Sequence, residues 1–551
     1  MNSAKITFYP SKITGSVPTG ITVLDTARRL GVNLESPCDG NGKCGKDMVQ
    51  IRVNNTLDTV LACKTTVETD LEIIVPAHEK LGGLKIVEGF YGRNEGTCGR
   101  NPSVRKEAMR NGRGHCSTNV YLHDTFSFAE EGDTSDSSYG VALDIGTTTL
   151  VASLISLNTG EALGSSSILN PLVHYGHDVM SRIKYSVVQK DGLFRMHREL
   201  ISAVNLLIGL LCSDRGVSPE HIYHVVCAGN TTMQHIFLNK EIKGIGEYPY
   251  RAETLDVVTI PAKDLALNAS QRAIATAFPS ISAYIGGDIV SGLLAIRPES
   301  CKSPAIFLDI GTNGEVVLFM EDKMVATSTA AGPCFEGMTI STGMRAGEGA
   351  IEHATFEDEL ALEVIGNTQP RGICGSGLLD IIAELLRVGL VNTRGRLTGK
   401  EGNGVSGKYF TYLFEKDKKR YFRLADNVAI SQEDIRQVQL AKAAIRAGVE
   451  ILLATCGISP DELKTVIIAG AFGYHLKEQS LFRTGFLPAT RNAKLLYVGN
   501  SSLEGAVRML LDKELIKESV HIARSAQVVE LSQNPDFEST FVREMHFTLF
   551  K

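Results

Sequence analysis

The chain has 551 residues, room for about three or four domains at roughly 150 residues each. A net charge of −6 with no basic block is a poor electrostatic match for nucleic acid or an anionic membrane. Ordinary shares of apolar (43%) and charged (21%) residues exclude wholesale disorder. No apolar run approaches the ~18 residues of a membrane span, and MNSAKITFYP lacks the charged start and apolar core of a signal peptide. A cytoplasmic protein is expected, with its eleven Cys as thiols or metal ligands rather than disulfides.

Residues 1–80 read as a small β-rich module. Ile6, Phe8 and Val17, with Gly15 between them, predict a hairpin. TVLDTARRL has Thr22 and Asp25 at capping spacing and Gly31 just past its end, which predicts one helix. A Cys- and Gly-rich loop (37–47) follows, then strand-like MVQIRV, LACKT and LEIIVP. A module this small has a thin core and often needs a metal or another staple. Residues 81–138 are polar and Gly-rich and read as a linker or small subdomain, helical near 102–110. From Tyr139 the pattern becomes α/β, with a first subdomain expected over 139–300 and a second over 301–551. The clearest helix there is SQEDIRQVQLAKAAIRAGVEILLATCG. Ser431 and Asp434 cap it, Ile435, Val438, Ile445, Val449 and Leu452 form its apolar face, and Gly457 ends it.

One supersecondary unit recurs. VALDIGTTTLVASLI and AIFLDIGTNGEVVLFM each place an Asp (Asp144, Asp309) at the end of an apolar strand, turn through Gly146 or Gly311, and resume as a strand. Gly permits a tight hairpin whose backbone N–H groups can face an anion. Thr147, Thr148, Thr149, Thr312 and Asn313 add side-chain donors, and Gly314 and Glu315 complete the second turn. The Asp residues suit a divalent cation or an attacking water. A third strand, VIIAGAFG, runs into Gly470, Ala471, Phe472 and Gly473, small enough for a nucleoside to lie against. One such turn alone is an ordinary hairpin with a capping Asp; two in order, followed by the third, are not a chance set.

This series resembles the phosphate-1, phosphate-2 and adenosine motifs of the acetate and sugar kinase/Hsc70/actin (ASKHA) superfamily. NPLVHYGHDVMSRI (170–183), CAGNTTM (227–233), IGGDIVSG (285–292), AAGPCFEGMTISTGMRAGEGAI (330–351) and GICGSGLLD (372–380) narrow the resemblance to the reductive activators of corrinoid proteins, which are ferredoxin-fused ATPases. It covers nearly the whole chain outside 81–138. It implies a multidomain α/β protein: a β-grasp 2Fe–2S ferredoxin-like domain, a linker, and a two-lobed actin-like ATPase domain. It further implies Mg²⁺ and ATP at Asp144 and Asp309, with Asp288 orienting the attacking water.

The family holds its cluster with four Cys in the pattern C-x5-C-x2-C and a distant C. Here the positions are Cys38, Cys44, Asp47 and Cys63. Three readings of the Asp stand open. Asp47 ligates iron through an oxygen, which would alter the potential and make the cluster more labile; Cys98 or Cys116 substitutes for the missing thiol; or the cluster is lost. Cys212, Cys227, Cys301, Cys334, Cys374 and Cys456 lack ligand spacing and read as small core residues. His174 and His177 beside Asp178 imitate a metal site, but the family pattern rests on Asn170, Pro171, Tyr175, Gly176, Asp178 and Arg182, and a loop lining the cleft or touching a partner is the better expectation. Arg345 in GMRAGEGA either borders a phosphate or sits in a plain Gly-rich turn, and KDKKR (416–420) reads as a solvated hairpin tip.

The function that the resemblance implies is ATP-dependent reductive activation. An electron passes from a reductant such as a ferredoxin or flavodoxin through the 2Fe–2S cluster. It reaches a corrinoid protein of a methyltransferase or O-demethylase system and converts Co(II) to Co(I). Each 100 mV uphill costs about 2.3 kcal/mol per electron; a ~10⁴-fold conformer preference, worth about 5.5 kcal/mol, is of the right size to supply it. The resemblance also implies a homodimer. The alternatives are a small-molecule kinase on the same fold and a nucleotide-sensing redox regulator with a degenerate cluster.

Overall fold

A computed structural model describes residues 3–9, 13–30, 32, 34, 47–53, 56–75, 101–110, 116–357, 359–398, 407–470, 476–488, 490 and 493–548. Alternating apolar residues build the first sheet. Strand β1 (Ser3–Tyr9) buries Ala4, Ile6 and Phe8 and pairs antiparallel with β2 (Ile13–Pro18), as the hairpin pattern predicts. Helix α1 (Val23–Leu30) starts at Thr22, whose hydroxyl accepts the Asp25 amide at 3.0 Å and donates to the Asp25 carboxylate at 2.8 Å. With β3 (Met48–Val53), β4 (Thr56–Leu61) and β5 (Leu71–Ile74) the sheet order is β2-β1-β5-β3-β4, the central β1–β5 pair being parallel. Val23, Leu24 and Ala27 of α1 share one core with Ile6, Phe8, Val49 and Ile73.

Residues 104–110, expected to be helical, form strand β6 (Val104–Arg110), antiparallel to β7 (Cys116–Leu122), which pairs with β8 (Thr125–Glu131). VRKEAMR carries good helix formers, but cross-strand pairing and the burial of Val104 and Val120 override that weak preference. Lys106 reaches inward to Glu130 (2.7 Å), the Ser137 carbonyl (3.1 Å) and the Tyr223 hydroxyl (2.9 Å), and Tyr223 donates to Glu130 at 2.5 Å. Asn101 also bridges to Asp512.

The repeat in sequence is a repeat in topology. Strands β9 (Tyr139–Ile145), β10 (Thr149–Ser156) and β11 (Ala162–Leu169) form an antiparallel meander. Helices α2 (Val179–Val188) and α3 (Gly192–Arg215) lead to β12 (Ile222–Gly229), parallel to β9; α4 (Thr231–Phe237), α5 (Lys243–Gly246) and β13 (Val258–Pro261) precede β14 (Ile274–Ala277), parallel to β12. The order is β11-β10-β9-β12-β14-β13. Helix α3 is long and apolar enough to cross a membrane by length and composition alone, but half of that apolar window is buried, consistent with a core helix.

After α6 (Gly287–Ile296) the plan restarts with β15 (Ala305–Ile310), β16 (Gly314–Phe319) and β17 (Met324–Thr329). The next segment carries β18 (Ala350–Phe356), β19 (Leu360–Val364), β20 (Gly372–Ile373), α7 (Gly375–Arg387) and the small sheet β21 (Leu413–Lys416), β22 (Lys419–Ala425) and β23 (Val428–Ser431). KDKKR is the tip of β21–β22, with Asp417 and Lys418 both at positive φ. Helix α8 (Gln432–Cys456) is capped as expected: Ser431 N–H donates to Asp434 at 2.8 Å and the Asp434 amide to the Ser431 hydroxyl at 3.1 Å. Strand β24 (Thr465–Ala469) then lies parallel to β15, and after α9 (Glu478–Arg483) comes β25 (Lys494–Gly499), parallel to β24. Helices α10 (Ser501–Leu511) and α11 (Leu515–Ser525), strand β26 (Ala526–Val528) and α12 (Phe537–Glu544) complete the chain. The second order, β25-β24-β15-β16-β17-β26, repeats the first from meander to parallel strands.

The described residues group into two compact units, one drawn from 1–85, 171–177 and 333–440, the other from 86–170, 178–332 and 441–551. In the second unit both six-stranded sheets share one core: Ala142 and Val226 of the first sheet and Phe307, Val317 and Ile467 of the second meet Ile289 and Leu293 of α6 and Leu503 and Val507 of α10.

Candidate functional site

The β9–β10 turn is closed by the Gly146 amide on the Thr149 carbonyl at 3.0 Å. A Cβ at Gly146 would stand 2.7 Å from that carbonyl oxygen, so only glycine closes the turn. Three side chains hold the loop from outside. Asn170 donates to the Gly146 carbonyl at 2.7 Å, the fully buried Arg182 donates to the Thr147 carbonyl, and Asn230 donates to the Thr147 hydroxyl at 3.0 Å. The Asn230 amide cannot flip, because its oxygen accepts the Met233 amide at the start of α4. Thr148 keeps a buried hydroxyl with no hydrogen-bond partner among the described residues, the kind of donor a phosphate oxygen satisfies.

The β15–β16 turn repeats this closure: the Gly311 amide donates to the Asn313 carbonyl at 3.0 Å, and Thr329 donates to the Gly314 carbonyl at 3.0 Å. Gly314 lies against Ile445 of α8, where a Cβ would meet the side chain at 2.6 Å. Gly470, directly after β24, has φ +92°; a Cβ there would stand 2.7 Å from the Ile310 carbonyl oxygen and 3.1 Å from Asp309 Oδ1. The third motif is thus brought beside the second by a residue that must be glycine. Ala471, Phe472 and Gly473 lie outside the described residues.

Four acids gather between these turns. Asp309 is pushed up to about 7 by burial and then by Asp144, and Asp288, at the start of α6, up to about 8 by burial, then Asp309 and Asp144. Glu315, on β16, is raised by burial and by Asp288 and Asp309. Asp144 is raised by burial, opposed by two donors that hold it: Asn500 Nδ2 to Oδ2 at 2.8 Å and Ser502 Oγ to Oδ1 at 2.9 Å. Carboxyls whose charges raise Asp288, Asp309 and Glu315 are an arrangement that a divalent cation would relieve, and the N–H and hydroxyl groups edging the two turns suit the polyphosphate such a cation carries.

The N-terminal ligand set is only partly described, as Cys38 and Cys44 lie outside the described residues, and so does Cys98. Asp47 and Cys63 are both buried. Asp47 accepts the Cys63 amide on Oδ2 at 2.6 Å, its own carbonyl accepts the Ala62 amide at 2.8 Å, and its Oδ1 is buried without a hydrogen-bond partner among the described residues. An acceptor-only oxygen of this kind fits a cation such as iron.

Other singled-out residues have structural work. Asp178 caps α2 by accepting the Ser181 amide at 2.7 Å. The segment around Arg345 is a set of turns leading into β18, with the Met344 amide on the Ile373 carbonyl. Cys212, Cys227, Cys334 and Cys374 are buried, and Cys301 and Cys456 partly so. Asn230 lies within the CAGNTTM motif, where its role is not legible from sequence, and Asn500 and Ser502 lie outside every motif quoted above. The signal for Asn500 was present: KLLYVGNSSLEG is an apolar strand followed by an N-cap residue.

A family model described as the RACo middle region matches residues 139–299, and one described as the C-terminal domain of RACo, the ASKHA domain, matches 303–550. The corrinoid activation enzyme RamQ of Eubacterium limosum is 29% identical, with 95% of this chain and 96% of that protein covered. The [Co(II) methylated amine-specific corrinoid protein] reductase of Methanosarcina barkeri is 24% identical, with 74% of this chain and 77% of that protein covered. A solved structure of a reductive activator for corrinoid, iron-sulfur protein superposes with a TM-score of 0.75 at 29% identity, covering 99% of this chain and 98% of that one. Two adjoining family matches on a duplicated α/β core, with relatives aligned almost end to end, place this chain in the RACo family, the reductive activators of corrinoid proteins.

Proposed function

We propose that the protein uses ATP to drive one electron onto the cobalt of a corrinoid protein of a methyltransferase or O-demethylase system, taking Co(II) to Co(I). The observation that carries this reading is the cluster of Asp144, Asp288, Asp309 and Glu315 beside two glycine-closed turns, in a chain of this family. Thr147, Thr148, Thr312 and Asn313 would bind phosphate oxygens, Gly470 would admit the nucleoside, and Asp144 and Asp309 would hold Mg²⁺. Asp288, at the start of α6 beside Asp309 and Asp144, would orient the attacking water.

The mixed N-terminal sheet, with its parallel central pair and the helix α1 packed on it, supports the reading of residues 1–80 as a β-grasp ferredoxin-like domain. Cys38, Cys44, Asp47 and Cys63 would hold a 2Fe–2S cluster, which supplies one-electron transfer when bound. The buried Asp47 Oδ1, without a hydrogen-bond partner among the described residues, supports oxygen ligation over loss of the site. A ferredoxin or flavodoxin is the class of donor that fits a one-electron relay.

The test is direct. Anaerobically purified protein, given ATP and a reductant, restores the Co(I) absorbance of a Co(II) corrinoid protein. Restoration at the same rate without ATP removes the coupling, and ATP consumption that depends on a small hydroxyl compound instead points to a kinase.

A further inference from the structure

Asn500 and Ser502 form a two-pronged clamp on Asp144, one prong on each carboxylate oxygen. The direction of the first prong is fixed. Asn500 Oδ1 accepts the Leu503 amide at 2.8 Å as the N-cap of α10, so its NH₂ must face Asp144 and cannot be exchanged for an acceptor by an amide flip. Ser502 has two attachments. Its hydroxyl donates to Asp144, and its carbonyl accepts the Ser291 hydroxyl at 2.6 Å, on α6 and one turn beyond Asp288. The α6–α10 contact leaves no slack: a Cβ on Gly505 would lie 2.0 Å from the Ser291 carbonyl oxygen, and one on Gly292 would lie 2.8 Å from Ser501 Oγ.

We infer that Asn500 and Ser502 are positioning residues for cation binding: they fix the rotation of the Asp144 carboxylate and its spacing from Asp288, with the outward lone pairs of Asp144 left for a divalent cation. Each carboxylate oxygen accepts more than one bond, so one donor per oxygen orients the group without exhausting it. This deepens the nucleotide reading above and rests on it. Neither residue touches the nucleotide in this assignment; both act through Asp144.

The experiment is a Mg²⁺ titration of ATP hydrolysis by the full chain, paired with nucleotide affinity measured in EDTA. Asn500→Ser keeps an N-cap hydroxyl for Leu503 but is too short to bridge to Asp144; Ser502→Ala removes the second prong, and Ser502→Thr restores its hydroxyl. Asn500→Ser and Ser502→Ala are expected to raise the Mg²⁺ concentration for half-maximal hydrolysis by about tenfold or more each, with metal-free ADP affinity within about twofold of wild type. Ser502→Thr returns the Mg²⁺ requirement towards the wild-type value. An unchanged requirement in both variants, or an equal fall in metal-free ADP affinity, overturns the assignment while ATP use by the wild type stands. A wild-type chain that binds no Mg·ATP overturns the nucleotide reading and this assignment together.

Discussion

Asp47 and Cys63 are joined by a 2.6 Å hydrogen bond from the Cys63 amide to one oxygen of the Asp47 carboxylate, and the other oxygen of that carboxylate is buried without a hydrogen-bond partner among the described residues. The departure from four Cys is therefore built into the sheet and is not a loose surface substitution. Asp47→Ala leaves a buried amide without its acceptor, at about 1–3 kcal/mol of stability, and is expected to lower acid-labile sulfide. Asp47→Cys is expected to retain sulfide and to change the EPR spectrum and midpoint potential of the reduced protein. A full sulfide content with an unaltered spectrum in Asp47→Ala would remove the carboxylate from the ligand set.

Asp309 ends β15 within reach of the charges of Asp144, Asp288 and Glu315. Asp309→Ala should slow ATP hydrolysis by roughly a hundredfold or more, while visible absorbance from the N-terminal module is unaltered. Hydrolysis within tenfold of wild type would place the essential carboxylate elsewhere.

The raised acids set a pH dependence with a definite sign. With Asp309 pushed up to about 7 and Asp288 to about 8, the folded chain binds more protons than the unfolded chain between about pH 4 and pH 8. These groups therefore make the metal-free protein less stable as pH rises through that window. A cation that replaces the protons reverses the trend, so the gain in melting temperature on adding Mg²⁺ should be larger at pH 8 than at pH 6. Melts with and without Mg²⁺ check it; an equal or larger gain at pH 6 contradicts the acid cluster as the cation site.

Gly470 is held at φ +92° against the Ile310 carbonyl. Gly470→Ala adds left-handed strain of about 1–3 kcal/mol and displaces the turn from Asp309. Urea denaturation should record the loss, and ATP affinity should fall at least severalfold. Wild-type affinity in a destabilised variant would separate this turn from the nucleotide.

The parts of this molecule legible in its sequence are those fixed locally. The Ser431–Asp434 cap, the α8 stripe from Ile435 to Leu452 and both DxGT turns follow from spacing alone. The strand at Val104–Arg110 was not legible, because Lys, Glu, Ala, Met and Arg favour a helix and only pairing with β7 decides otherwise. Nor was the clamp on Asp144. Asn500 and Ser502 lie more than 350 residues away in sequence, and their role exists only once α10 is set against β9.

The Lys106 network has a practical corollary for anyone dissecting the protein. A fragment begun at Tyr139, where the α/β text starts, would strip Tyr223 of both Lys106 and Glu130 and uncover the core face that Val104 and Val120 cover. A fragment of the α/β region meant to stand alone should start at or before Asn101, whose backbone is stitched to Leu511 and Lys513.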